Sequence, residues 1–281
     1  APLDWRSTQE AFEGSKETAS RLRALLARSA PPDRFDVLGG SAGWATASRM
    51  LRLPTAYGDD PMVLKRYHDF RLLFTNGNWW ERRSEVKDAG SPVLDRAGVR
   101  YLISHAPELQ GAIPLGCPRV LRLAAHEVYE RPGALPRFYL AGRLIPAGSA
   151  PEALERLREL PAGNRDAIVE GLGARDVAGG TVRVVEFEDN RLKLEVHAEG
   201  PAFLVTAEAN YPGWVAEVGG QPVPLRMTNA AFRGLAVPPG RSLVEMRFRP
   251  VDLPWGAALS AAAWALVAWA AWRRPGTGAK A

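Results

Sequence analysis

The sequence predicts an α+β protein: a mixed α/β region over residues 31–175, an antiparallel β-sandwich over 176–250, and one C-terminal transmembrane helix. Three observations carry this. Leu253 to Trp272 holds no charge, and 20 residues of helix at about 1.5 Å each reach roughly the 30 Å of a bilayer's hydrocarbon core. From Thr181 onward the hydrophobicity alternates with a period of two, with turn signals between short runs. Between residues 31 and 170, strand-length apolar runs are interleaved with amphipathic segments.

The elements follow in order. Residues 1–30 read as a helical segment, since Phe12, Ala19, Leu22, Leu25 and Leu26 recur at three- and four-residue spacing and Pro31-Pro32 ends it. Arg34–Leu38 reads as a buried strand, followed by Gly39–Gly43 and a helix. Strand, glycines and helix is the order of a phosphate-binding loop, but the spacing is neither GxGxxG nor GxxxxGK[ST], so a plain turn is the better reading. Asp59 and Asp60 stand in a Pro turn, where adjacent carboxylates diverge and capping or turn bonding is favoured over acid/base work. A short helix through Leu64, Tyr67 and Phe70 follows. Asn76–Trp80 is a polar loop ending in two tryptophans, Trp79 and Trp80; packing is the default reading of such a pair, and stacking on a sugar is the functional alternative.

Val93–Ser104 reads as a helix end, a glycine cap and a buried strand. Leu121–Glu130 and Arg137–Arg143 are further apolar runs of strand length, and Ala150–Leu160 is amphipathic through Leu154, Leu157 and Leu160. In the sandwich region, Leu192, Leu194 and Val196 alternate with charged neighbours, and Phe203–Ala207 is a second strand. Tyr211-Pro-Gly-Trp214 has Pro and Gly at the centre of a type II turn. Gly219-Gly220 signals a hairpin. The last strand places Val244, Met246 and Phe248 inward, with Glu245, Arg247 and Arg249 outward.

The helix over 253–272 opens with Pro254, carries Trp255, Trp269 and Trp272 near its ends, and is followed by Arg273, Arg274 and Lys280 in a tail over 273–281. That is the aromatic belt and positive-inside signature of a span with a cytoplasmic C-terminus, and it sets the other residues on the outer face. A buried Ala-rich helix is the alternative. Gly256 and Ser260, with Ala257, Ala261 and Ala265, form a small-residue ridge of the kind that packs against other membrane helices. The chain opens at Ala1 without Met or a leader, so either a signal has been removed or a longer protein precedes it.

Composition narrows the function. The net charge is +5, with arginines scattered among acids rather than gathered in a stripe, so nucleic acid is not an expected partner. Cys117 is the only cysteine, which excludes an internal disulfide and reads as a small buried residue. The four histidines, His68, His105, His126 and His197, fall in no ligand spacing, and no GxSxG elbow appears. No catalytic, cofactor or metal residue is assigned.

Several segments then resemble one family. Arg119–Arg122 through Glu127-Val-Tyr-Glu130, and Gly133-Ala-Leu-Pro-Arg-Phe-Tyr-Leu140, are similar to a conserved stretch of the YfhO-like bacterial membrane proteins. So are Leu94–Tyr101, the Tyr57…Asp60-Pro61 turn, Tyr211–Ala216, Ala231–Gly240 and Glu245–Pro250, in the same order along the chain. Glu130-Arg131 and Gly219 depart from the family pattern. The resemblance implies a polytopic glycosyltransferase of the GT-C type, which takes sugar from a polyprenyl-phosphate carrier on the outer face of the plasma membrane. Its catalytic carboxylate lies in an early loop outside this sequence. The implied role here is acceptor positioning or structural support, with membrane lipid, other transmembrane helices and a cell-envelope glycan as partners. Trp79, Trp80, Tyr211 and Trp214 are the candidate substrate-binding residues. The alternative is a single-pass, membrane-anchored module that binds a glycan or a protein.

Overall fold

A computed structural model describes residues 18–38, 43–56, 63–77, 84–105, 116–123, 126–250 and 253–273. Helix α1 (18–26) is followed by β1 (Arg34–Leu38), α2 (Gly43–Met50), α3 (Lys65–Arg71), α4 (Pro92–Asp95), β2 (Val99–His105), β3 (Arg119–Arg122) and β4 (His126–Glu130). The strands form a sheet in the order β1-β2-β4-β3, with β1 parallel to β2 and the other pairs antiparallel. A parallel pair is covered on both faces, which is why Arg34–Leu38 reads as a nearly continuous apolar run. Leu22, Leu25 and Leu26 of α1 pack on Phe35, Val37, Tyr101 and Ile103. On the opposite face Leu38 and Leu102 meet Phe70, Phe74 and Leu94. Asp36 interrupts the run and is fully buried, its carboxylate held by Arg71 Nη1 at 2.6 Å. Gly98, at φ +65°, ends the turn after α4, a conformation that glycine adopts without the Cβ clash of other residues.

The remaining elements are β5 (Phe138–Leu140), β6 (Arg143–Ala147), α5 (Ala150–Glu159), β7 (Ala167–Glu170), β8 (Arg175–Asp176), β9 (Gly180–Glu188), β10 (Arg191–Ala198) and β11 (Ala202–Ala209). They continue with β12 (Trp214–Val218), β13 (Gln221–Val223), β14 (Arg226–Thr228), β15 (Phe232–Val237), β16 (Gly240–Phe248) and α6 (Leu253–Trp272). The amphipathic segment at 150–160 is the crossover between the parallel pair β6 and β7. Ser149 caps it by accepting from Glu152 N, and Leu157 is fully buried.

Two sheets make the sandwich. One is five-stranded, β13-β12-β16-β10-β9, and entirely antiparallel; the other is seven-stranded, β5-β11-β15-β14-β7-β6-β8. Leu192, Leu194 and Val196 of β10 and Val244 and Met246 of β16 meet Phe138, Leu140, Leu204, Leu235 and Val237 of the facing sheet. Each such side chain, taken out of water, contributes about 1.5–3 kcal/mol, which makes this layer the main cohesive term of the C-terminal half. The seven-stranded sheet draws β5 to β8 from before and at residue 176, and β11, β14 and β15 from after it. The division placed at 175 therefore runs through a continuous sheet.

Three local readings are corrected. Leu121–Glu130 is not one strand: β3 and β4 are separate antiparallel strands, with residues 124–125 between them outside the described residues. Arg137–Arg143 likewise holds β5 and the first residue of β6, because Ala141 and Gly142 turn the chain. Cys117 is half-buried rather than buried, since it precedes the exposed start of β3. Helix α6 forms over the expected residues, and its described side chains are all exposed, Trp255 and Leu259 each at 78%. Among the described residues no helix is long and apolar enough to cross a membrane; α6 is rich in alanine and tryptophan rather than leucine, isoleucine or valine.

Candidate functional site

The pairing of β11 with β15 is interrupted. Val205 stands opposite Gly234 and Ala209 opposite Phe232, so β11 carries extra residues over that interval. Such a bulge re-aims side chains and leaves backbone groups to be satisfied by other means. Here Thr206 Oγ1 donates to the Arg233 carbonyl at 3.0 Å, and Ala207 N donates to the Arg137 carbonyl at 2.8 Å. The bulge delivers Glu208 to the end of the inter-sheet layer, where three arginines from different elements converge on it.

Arg34, at the start of β1, donates from Nη2 to Glu208 Oε2 at 2.7 Å and from Nη1 to the Ala207 carbonyl at 2.6 Å. It thereby ties the first sheet to the sandwich. Arg137, just before β5, donates to Glu208 Oε1 from Nη2 at 2.7 Å and from Nε at 3.2 Å, and to the Pro32 carbonyl from Nη1. Its guanidinium carbon sits 4.4 Å from the Phe187 ring centroid. Burial alone would raise the Glu208 carboxyl, but Arg34 and Arg137 outweigh it and hold it below its ordinary value.

Arg233 is different. It occupies an inward position of β15, two residues before Leu235 and four before Val237, and is 3% exposed. Its guanidinium carbon lies 3.7 Å from the Trp214 ring centroid, so the planar group is stacked on the indole. Nε and Nη1 are buried with no hydrogen-bond partner among the described residues. Burial pulls its pKa down to about 10, with Glu208 partly opposing the shift and Arg34 adding to it. Arg233 is still a cation at neutral pH, with unmet donors.

These side chains line a cleft of about 370 Å³ between the first sheet and the open end of the sandwich. Glu188, the last residue of β9, and Asp189, in the turn that follows, are exposed and add two carboxylates to its edge. The cleft also lies near the start of α6. Trp214 pairs with Phe248, five residues before Leu253, and five extended residues span at most about 18 Å.

Of the expected site residues, Trp79 and Trp80 lie outside the described residues, as do Asp59 and Asp60 and the glycine turn at 39–42. Trp214 lines the cleft and packs against the sandwich core, capping it. Tyr211 is 46% exposed, and its ring meets Phe248 at 5.9 Å between centroids. The structure thus brings Tyr211 and Trp214 together around Phe248 and adds Arg34, Arg137, Glu208 and Arg233, which the sequence reading passed over. The available signal was a charge at Arg233, where the alternation Arg233-Leu235-Val237 calls for an apolar residue. Among the described residues no group of three His, Cys, Asp or Glu side chains can hold a metal ion. No family model matches the chain, and neither does any curated protein or solved structure.

Proposed function

We propose that this chain is the outer-face, C-terminal part of a polytopic bacterial membrane protein, similar in kind to the YfhO-like glycosyltransferases. In this reading it holds a polar acceptor beside the bilayer rather than performing the transfer. The carrying observation is α6. Twenty uncharged residues follow on a folded β-sandwich and turn Trp255, Leu259, Trp264 and Leu266 outward, with none of the described residues covering them. Apolar helix side chains left uncovered among the described residues call for an apolar surrounding. Alanine gains little from lipid, so the helix needs company: the Gly256–Ser260 ridge supplies a surface on which other membrane helices pack closely. Arg273 lies over the Trp269 ring at 4.1 Å, an aromatic and cation pair suited to a headgroup layer. The cleft beside Trp214 is tied to the strand that leads into that helix, since Trp214 pairs with Phe248. Positioning supplies much of the rate when a lipid-linked donor meets a polymer acceptor, which gives such a surface a use.

The test takes membranes from cells making the intact protein. The chain should stay with them through carbonate extraction, and Leu259→Arg together with Leu266→Arg should release it. The membranes should also transfer sugar from a polyprenyl-phosphate donor, and Trp214→Ala should raise the acceptor KM with little change in kcat. Recovery of the unaltered protein in the soluble fraction would refute the membrane reading; absence of transfer would refute the enzymatic one.

A further inference from the structure

We propose that the cleft between β1, β11, β12 and β15 is a binding site for a phosphoryl oxyanion, with Arg233 as the residue that takes it. This deepens the reading of the cleft as the polar holding surface and does not rest on membrane insertion. Three features point to such a ligand. First, a guanidinium that is 3% exposed, with Nε and Nη1 unpartnered among the described residues, is an incomplete arrangement, because buried donors are ordinarily met. Second, the site is prepared for an anion. Glu208, the one carboxylate in the buried part among the described residues, is already engaged by Arg34 and Arg137, so it leaves Arg233 available while keeping the other two arginines fixed. Third, Trp214 stacks on the guanidinium plane and directs its edge donors, and a planar fork held this way matches the oxygens of phosphate.

The edge carboxylates Glu188 and Asp189 oppose an anion, and this makes the proposal sharp. They sit at the rim rather than on Arg233, and they reject anions with no compensating hydroxyls. A phosphorylated polyol or sugar, whose hydroxyls donate to carboxylates, therefore suits the cleft better than a bare anion. The phosphoryl group can belong to a lipid headgroup, since at most about 18 Å of chain separates Phe248 from α6, or to a soluble molecule.

The experiment uses the full chain in a phosphate-free glycoside detergent and measures heats of binding for glycerol phosphate and for inorganic phosphate at constant ionic strength. Nanodiscs of phosphatidylglycerol and of a phosphate-free glycolipid are the membrane arm. Glycerol phosphate should bind the unaltered chain more tightly than inorganic phosphate does. Arg233→Gln should weaken binding at least tenfold, and Arg233→Lys should recover part of it. Asp189→Asn, at an exposed turn, should tighten inorganic phosphate severalfold, a gain that a damaged fold does not produce. Arg233-dependent binding of soluble glycerol phosphate identifies a soluble source; Arg233-dependent binding seen only with phosphatidylglycerol nanodiscs identifies a headgroup. Equal affinity in the unaltered chain and Arg233→Gln, or no tightening in Asp189→Asn, would overturn the proposal.

Discussion

Replacing Arg233 by methionine tests whether that guanidinium serves the fold or a ligand. Burial pulls its pKa down to about 10, so keeping it charged inside the protein costs roughly 3 kcal/mol relative to water. The main return is the stack on Trp214, worth about 2 kcal/mol when desolvated. Methionine matches much of the length, has no donor to leave unmet, and its sulfur regains about 0.3–1.5 kcal/mol against the indole. The balance makes Arg233→Met no less stable than the parent and up to about 2 kcal/mol more stable. Urea unfolding in a fixed detergent, followed by tryptophan fluorescence, reads this as a midpoint at or above the parent's with an unchanged slope. A loss of 2 kcal/mol or more would refute the reasoning, because it would mean that Arg233 makes structural bonds and that the cleft is complete as it stands.

Two further outcomes follow from the same cluster. Glu208→Gln removes the charge that Arg34 and Arg137 share, and stripping one partner from a buried pair of this kind costs about 3–5 kcal/mol, measurable in the same unfolding experiment. Because the folded-state pKa of Glu208 is lowered, its stabilisation is full above the unfolded carboxylate value of about 4.3 and is lost as pH falls through the folded value; an acid titration of stability should lose part of its low-pH slope in Glu208→Gln. Gly213→Ala should cost about 1–3 kcal/mol and disturb the Trp214 stack, since φ is +103° there and a new Cβ would stand 2.8 Å from the Arg249 carbonyl oxygen. A shift in the indole emission together with a lower thermal midpoint is the expected reading, and an unchanged midpoint would remove the assigned constraint.

The elements whose burial follows a simple period were legible in the sequence. β10 shows Leu192, Leu194 and Val196 buried in alternation, β16 does the same with Val244 and Met246, and α5 keeps Leu157 on its inner side. The two glycines expected to turn the hairpin both have positive φ, at 57° and 79°. What could not be read was anything set by pairing across the chain. The seven-stranded sheet joins β5 to β11 and β14 to β7, and no local pattern announces that residues 138–176 and 202–237 share a sheet. The cleft was hidden for the same reason. Arg34 and Glu208 are 174 residues apart, and each alone is an ordinary charge in a run of them. Of these charges, only Arg233 is a local signal, since it interrupts the apolar alternation with Leu235 and Val237. The turn that places Trp214, by contrast, was legible, because its Pro-Gly pair is a purely local signal.

The connection between cleft and helix then bears on how the molecule would work. β16 is locked on both sides, to β10 over Gly240–Arg247 and to β12 over Val244–Phe248, and Arg249 N still bonds the Gly213 carbonyl at 2.7 Å. The turn that carries Trp214 is therefore fastened to the last residues before α6, and only residues 250–252 stand between that bond and the helix. If α6 lies in the bilayer, as proposed, the cleft cannot drift freely above the surface: a strand held by two ladders transmits the position of the helix to Trp214, and Trp214 transmits it to Arg233. Lengthening that link by inserting Gly-Ser pairs after Arg249 separates the two roles. It should leave phosphate affinity in detergent unchanged, because every cleft residue lies before the insertion, and should lower Arg233-dependent capture of phosphatidylglycerol nanodiscs in proportion to the added reach. Equal capture at every length would mean that the cleft's ligand does not come from the membrane.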